Sequence, residues 1–527
     1  MIDVVIRNAT RYDGSGGPGT VGDLGVDGGR IVAVDDRLAG GVGREEIDAT
    51  GLVLAPGFID LHAHSDVSLL SEPGCISAIE QGVTTQAVGL CGFSAGPVDA
   101  ASLAGLIDEE PVFAFPGVAW DWTTIAGYRE AVTRAAPATN VATFVGHNTL
   151  RRFAIGGADR PPTRDELVRM VALVEEAIEG GARGFTTGLS YAPGLFADVD
   201  ELTALARAAA RRGRPYHTHM RYGPDGVRAS LREALDTAER AAVEINVSHL
   251  YPPANEPDAA ADELLGMLKA ARDRGLDVTF DLTLFERGGG AWVQSVPAWA
   301  RDGGMAGTAA VIRDPDARAR LVTELTGPGA DWWLSDWDDQ LICKVNRPEL
   351  ADLVGRTIGD IARERGTAPI DTALDLVLED GQFWVAPTIK RQAHLDRLIA
   401  SPLCVPIGDG FAHHPTRHAP YGIMPKSFGT FPLLLGSYVR DRGVLSLSDA
   451  IRKVTAEPAR RLGLTDRGRL APGLAADLVL FDPGLVANRA DGANPAARPA
   501  GIERVMVNGT WAVSAGAATG ARSGLVL

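Results

Sequence analysis

The stretch Phe58-Ile59-Asp60-Leu61-His62-Ala63-His64-Ser65-Asp66 runs an apolar strand directly into a His-x-His pair. In a strand, residues i and i+2 point to the same side, so His62 and His64 can hold one metal ion together. Two polar residues at a strand end is the plainer alternative. Four other segments weigh against it. Pro215-Tyr216-His217-Thr218-His219-Met220-Arg221 repeats the pair, and Ile245-Asn246-Val247-Ser248-His249 ends an apolar run in histidine. Val405-Pro406-Ile407-Gly408-Asp409-Gly410 ends one in aspartate, and Thr85-Gln86-Ala87-Val88-Gly89-Leu90-Cys91-Gly92 ends one in cysteine. Histidine, cysteine and aspartate are the ligand types that zinc prefers.

Around these segments, residues 56–460 alternate short apolar runs, such as 140–145, 184–189, 214–218, 242–248 and 278–282, with helical stretches. Arg164–Glu179 and 201–212 carry apolar residues at i, i+3 and i+4. Repeated βα units predict a parallel sheet, and eight of them close a (β/α)8 TIM-like barrel, an α/β fold. Parallel strand ends then meet at one face, where barrel active sites sit. Residues 286–350 break the rhythm with Gly288-Gly289-Gly290 and several tryptophans, and predict an insertion over the barrel mouth. Residues 1–55 and 461–527 read as short alternating strands between glycine-rich turns. They predict one small β-sandwich domain built from both chain ends.

Composition narrows the function. The chain has 527 residues, 45% of them hydrophobic, enough for a barrel with appendages. Its net charge of −16 argues against a nucleic-acid partner, which would need a basic face. No apolar run is long enough to span a membrane, and Met1-Ile2-Asp3-Val4-Val5-Ile6-Arg7 reads as a strand rather than a signal peptide. The expected location is cytoplasmic. Cys75, Cys91, Cys343 and Cys404 are far apart and form no disulfide framework.

The His-x-His strand, the histidines late on two successive strands and the final aspartate resemble the amidohydrolase superfamily. Within it the chain is similar to the N-acyl-D-amino-acid deacylases, or D-aminoacylases. The resemblance covers nearly the whole length, through residues 51–66, 88–96, 146–151, 184–197, 218–221, 428–435 and 456–464. Gly473-Leu474-Ala475-Ala476-Asp477-Leu478-Val479 is common across the superfamily and does not specify a substrate. Many members bridge two metals with a carboxylated lysine from strand four. Here that strand, Gly184-Phe185-Thr186-Thr187-Gly188-Leu189-Ser190-Tyr191, has none, and no lysine precedes Lys269. In the D-aminoacylase pattern a strand-two cysteine is a ligand, and Cys91 matches it; a buried structural thiol is the alternative.

The resemblance implies roles. Cys91, His219 and His249 would hold a tightly bound zinc with one position open for water. His62, His64 and Asp409 would form a weaker second metal site. His217 is a further candidate, but the family's Thr-His-Met-Arg pattern puts the ligand at His219. Tyr191, Lys426, Arg221 and His147 would contact substrate, with a hydrogen-bonded barrel histidine as the alternative for His147. The implied activity is hydrolysis of an amide bond, in an N-acyl-D-amino acid or related small molecule, by metal-activated water with Asp409 as general acid–base. A cyclic-amide hydrolase, a cyclase, a deaminase and a non-catalytic binding protein are the rivals, and a homo-oligomer is allowed.

Several departures from the family pattern concern substrate binding. The lysine usual soon after the strand-six histidine is missing from His249-Leu250-Tyr251-Pro252-Pro253. The tyrosine usual after the strand-seven aspartate is missing from Asp281-Leu282-Thr283-Leu284-Phe285. The usual His-Pro-Arg reads Met424-Pro425-Lys426, before Phe428-Gly429-Thr430-Phe431. In the family these three positions help to hold the substrate carboxylate, and lysine lacks the bidentate fork of arginine. Their loss predicts poor activity on simple N-acetyl-D-amino acids. The loop 411–421, with His413, His414, Arg417 and His418, reads as a lid, a substrate grip or a solvated loop.

Overall fold

The computed structural model describes the chain except residues 111–112, 116, 222–225, 329, 331–333, 335 and 419–421, and the side chain of residue 109. It opens with five strands: β1 (Ile2–Arg11), β2 (Thr20–Asp27), β3 (Arg30–Asp35), β4 (Gly43–Asp48) and β5 (Val53–Pro56). β1, β2 and β3 form an antiparallel meander. The β2–β3 turn is Gly28-Gly29, both at positive φ (55° and 79°), as a two-residue hairpin of matching twist requires. β4 and β5, in contrast, run parallel to β1. Alternation of apolar residues reports a half-buried strand but not its direction, and the β2–β3 hairpin supplies the crossover that parallel pairing needs.

Eight strands then form the barrel. They are β6 (Phe58–Asp60), β7 (Val83–Val88), β8 with β9 (Asn140–Thr143, Val145–Gly146), β10 (Phe185–Gly188), β11 (Tyr216–His219), β12 (Ile245–Val247), β13 (Val278–Leu282) and, later in the chain, residues 404–406. Neighbours pair in parallel throughout. β8 and β9 are one strand interrupted at Phe144, whose N–H still donates to Val88 O at 2.8 Å. The ring closes where Asp409 N donates to His62 O at 2.9 Å. The strands are buried on both faces, as in a sheet covered by helices, and carry buried polar residues such as Gln86, Asn140 and Asp281 among the apolar ones. The helices carry legible start signals: Thr163 and Glu166 form a capping box on Arg164–Glu179, and Asp198 caps Val199–Arg211.

Between β13 and the last barrel strand the chain builds a separate unit. Its antiparallel sheet joins β14 (Gly290–Ala291), β15 (Ile342–Lys344) and β16 (Trp384–Val385), and its own core stacks Trp292 on Phe383. This unit corresponds to the break at residue 286, but it continues to β16, well past residue 350. Helices such as Pro369–Asp380 imitate the barrel's βα rhythm while packing on this second core. Part of the 286–350 stretch lies outside the described residues.

After β17 (Cys404–Pro406) the chain returns to the first sheet through β18 (Leu478–Phe481), β19 (Ile502–Val507), β20 (Thr510–Ser514) and β21 (Ala517–Ala518). β18 pairs antiparallel with β5, so both chain ends share one mixed nine-stranded sheet. It forks at β1 and encloses a core that includes Ile6, Leu24, Leu54, Leu478 and Met506. Asp477 ties this sheet to the barrel: it accepts from Asn140 Nδ2 at 2.9 Å and from Asn508 N at 2.7 Å, and pairs with Arg467. Among the described residues, no helix is long and apolar enough to cross a membrane.

Candidate metal centre and active-site cavity

The chemistry-bearing side chains gather at the C-terminal ends of the barrel strands. His62 and His64 follow β6, Cys91 follows β7, His219 ends β11, His249 follows β12 and Asp409 follows β17. His62 Nε2 lies 3.2 Å from Cys91 Sγ, and His249 Nε2 lies 3.5 Å from the same sulfur. His64 Nε2 lies 3.2 Å from Asp409 Oδ1, and His62 Nε2 3.6 Å from it. Two ligand groups result, His62–His64–Cys91 and Cys91–His219–His249, with donor atoms within 4.8 Å of one another in each. Cys91 belongs to both.

Three of these residues adopt left-handed backbone: Cys91 at φ 51°, His249 at 36° and Asp409 at 47°. Such conformations cost roughly 1–3 kcal/mol each for a residue with a side chain and persist where surroundings over-determine them. Gly188 is one such constraint, because a Cβ there would stand 1.9 Å from Cys91 O. Asp281 is another. It accepts from His249 N at 2.6 Å and Asn246 Nδ2 at 2.7 Å, and its Oδ2 is 3.3 Å from His62 Nδ1. Asp281 thus orients a histidine of each ligand group. An aspartate inside the buried strand Val278–Leu282 was the available signal for it. Gly408 packs equally closely: its N–H donates to Asp60 Oδ1 at 3.0 Å, and a Cβ would meet Asp60 Oδ2 at 2.4 Å.

Charge follows from these contacts. Burial pushes the Cys91 thiol up, but His62 and His219 outweigh it and bring it well below the ordinary thiol range. Burial opposes protonation of His62, yet Cys91 and Asp281 raise it; burial likewise lowers His64, but Asp409 and Cys91 outweigh it and raise it to about 9. Burial and neighbouring His249 lower His219. Asp409 resists its burial through Lys426, His64 and His62, and stays ionised well below the carboxylate range. A buried thiolate and a partly buried carboxylate converging with imidazoles form a nitrogen–sulfur–oxygen donor set suited to zinc, which Cys91, His219 and His249 would hold with three ligands.

These donors form one wall of a cavity of about 320 Å³. Tyr191 lines it, its ring 4.7 Å centre to centre from that of His219. Ser190 Oγ sits 2.5 Å from His219 Nε2. Lys426 also lines it, with Nζ 2.5 Å from Asp409 Oδ2, so its ammonium is engaged by the catalytic candidate itself. Gln294, Arg301 and Trp384 bring the inserted unit over the mouth. Lys390, unread in the sequence, lines the cavity as well; burial, then Lys426, pull it down to about 7 against the pull of Asp409.

Two expected substrate contacts are elsewhere. His147 Nε2 is 2.7 Å from Glu201 Oε1, which also accepts from Arg151 Nε at 3.0 Å, and all three are buried. His147 begins the helix His147–Ile155, which directs it into this internal network rather than the cavity lining. Arg221 binds Glu233 at 3.2 Å and the Ala197 carbonyl at 2.9 Å, and also stands outside the lining. The loop after Asp409 is stitched down rather than solvated at its base: Ala412 N donates to Ser65 Oγ and His413 N to Ser77 Oγ, each at 2.9 Å. His413 and His418 are buried, Arg417 pairs with Glu72, and 419–421 lie outside the described residues.

A sequence model of the amidohydrolase family matches residues 45–513. The chain is 33% identical to a D-aminoacylase of Alcaligenes xylosoxydans xylosoxydans, over 100% of this chain and 97% of that protein. It is similar to the crystal structure of N-acyl-D-glutamate deacylase from Bordetella bronchiseptica, complexed with zinc and a phosphonate inhibitor, with a TM-score of 0.84, 30% identity and coverage of 100% and 99%. A D-aminoacylase structure described through its binuclear metal centre gives a TM-score of 0.83 at 32% identity, covering both chains fully.

Proposed function

The chain belongs to the amidohydrolase family, as a metal-dependent, D-aminoacylase-like enzyme, and on that premise we propose that it hydrolyses the amide bond of N-acyl-D-amino acids. The observation that carries this reading is the meeting of the Cys91–His219–His249 donors with Asp409 in one cavity. The preference for the D configuration rests on the names of its full-length relatives. Cys91, His219 and His249 would hold the tighter zinc, and His62, His64 and Asp409 would form a weaker second position.

Amide hydrolysis is slow because water is a poor nucleophile and an amide anion a poor leaving group. A zinc ion held here supplies Lewis-acid polarisation of the carbonyl and acidifies water. Asp409, ionised at neutral pH, takes a proton from water as it adds to the carbonyl carbon. It returns that proton to the nitrogen as the C–N bond breaks, leaving a carboxylic acid and an amine, which exchange a proton to become carboxylate and ammonium. Lys426 holds Asp409 in place and offsets its charge. Asp281 meets the His62 ring as an outer partner of a metal-ligating histidine does, and holds His249 through its backbone N–H. The inserted unit and Tyr191 line the cavity in which this takes place.

The test is a product analysis of the purified zinc-containing protein with paired N-acyl-D- and N-acyl-L-amino acids. Release of the free acid and D-amino acid is expected. Ring opening of cyclic amides, or ammonia release, without deacylation would overturn the proposal.

A further inference from the structure

Lys390 is a buried amine at the wall of the reaction cavity, with no acidic partner among the described residues. It is 2% exposed. Its Nζ lies 2.5 Å from Thr283 Oγ1 and 5.2 Å from the centre of the Tyr251 ring. Among the described residues, no carboxylate comes within ion-pair distance of it, whereas Lys426 beside it is engaged by Asp409 at 2.5 Å. The segment that carries it is held firmly, with Lys390 N donating to Glu286 O at 3.0 Å. Gly288 faces it closely enough that a Cβ there would strike Ile389 at 2.2 Å. A buried ammonium with a single hydroxyl neighbour is costly unless an anion completes its shell. The cavity is the open side from which an anion can arrive.

The neighbours of Lys390 sharpen this. Thr283 and Tyr251 stand in the two segments that lack the tyrosine and the lysine usual in similar sequences. Lys390 therefore brings positive charge between them from a third part of the chain, the exit from the inserted unit. We propose that Lys390 is the group that binds the carboxylate of the substrate, a specificity determinant relocated in sequence while kept in space. The proposal rests on the deacylase reading for the substrate but not for the charge: any ligand of this cavity would be selected for an anionic group.

The test compares the wild type with Lys390→Met and Lys390→Arg on two probes, N-acetyl-D-methionine and its uncharged carboxamide. Calorimetry gives binding, and steady-state kinetics give KM and kcat. In wild type the acid should bind more tightly than the carboxamide. Lys390→Met should weaken acid binding and raise its KM about 10- to 100-fold, as expected for one charge-assisted hydrogen bond, and leave carboxamide binding nearly unchanged. Lys390→Arg should recover part of the loss. Zinc content and the unfolding midpoint of each variant separate this from a folding defect. Equal weakening of both probes, no weakening of either, or no preference of the wild type for the acid would overturn the proposal. Preferential binding of the acid without its hydrolysis would instead count against the deacylase reading and leave Lys390 in its role.

Discussion

The two His-x-His segments of this chain look alike in sequence and do different work. His62 and His64 lie just beyond the end of β6 and both reach ligand positions. In the second pair only His219 does. His217 points to the same side of β11, but one pleat deeper, and lies against Phe144 with ring centres 4.7 Å apart. Neither nitrogen of His217 has a hydrogen-bond partner among the described residues. Burial, then His62 and Arg461, push its protonation well below the ordinary range, so it is a neutral ring in the barrel interior. The distance of a histidine from the end of its strand decides whether it can reach the metal position, and the motif alone does not encode that distance.

The largest effect should come from the residue that both ligand groups share. Cys91→Ala should remove most bound zinc and lower turnover by more than the about 10–100-fold typical of losing an outer-shell partner. Full zinc in this variant by elemental analysis would separate Cys91 from the site. Asp409→Asn keeps the shape but cannot accept a proton, so kcat should fall about 10²–10⁴-fold while substrate still binds; near-normal kcat would assign the proton transfer to another group. Asp281→Asn should cost about 10–100-fold in zinc affinity through the two histidines it orients, measured by competition with a chelator. An unchanged affinity would show that the strand ends position His62 and His249 unaided. The smallest effect belongs to His217→Leu. Zinc content should be unchanged and stability in urea equal or up to about 1–2 kcal/mol higher, because a buried ring without hydrogen bonds is replaced by an apolar group. Zinc loss in His217→Leu would collapse the contrast between the two segments.

Most of the candidate ligand set was legible because barrel geometry converts a local pattern into a shared location: an apolar run ending in His, Cys or Asp places that residue at one face. Asp281 was harder to read, since an aspartate within a buried run carries no mark of which neighbouring strand it serves. His147 and Arg221 show the reverse error. Arg221 stands two residues from His219 and His147 follows a barrel strand, yet a helix start turns His147 toward Glu201 and the carbonyl of Ala197 holds Arg221 aside. The inserted unit was visible at its start and hidden at its end, because its helices bury an apolar face by the same periodicity as the barrel helices.

By itself, then, the amino-acid sequence determined the barrel, the pairing of its two β-rich ends and the residue types at the strand termini, all of which follow from periodicities of 2 and 3.6 and from turn and cap chemistry over a few residues. Tertiary structure alone decided that Cys91 serves both ligand groups, that Lys426 is held by Asp409, and that Lys390 occupies the gap between Thr283 and Tyr251. These are contacts between side chains far apart along the chain. Their distances depend on how the strands tilt and how the inserted unit closes over the mouth, and no local pattern carries that information.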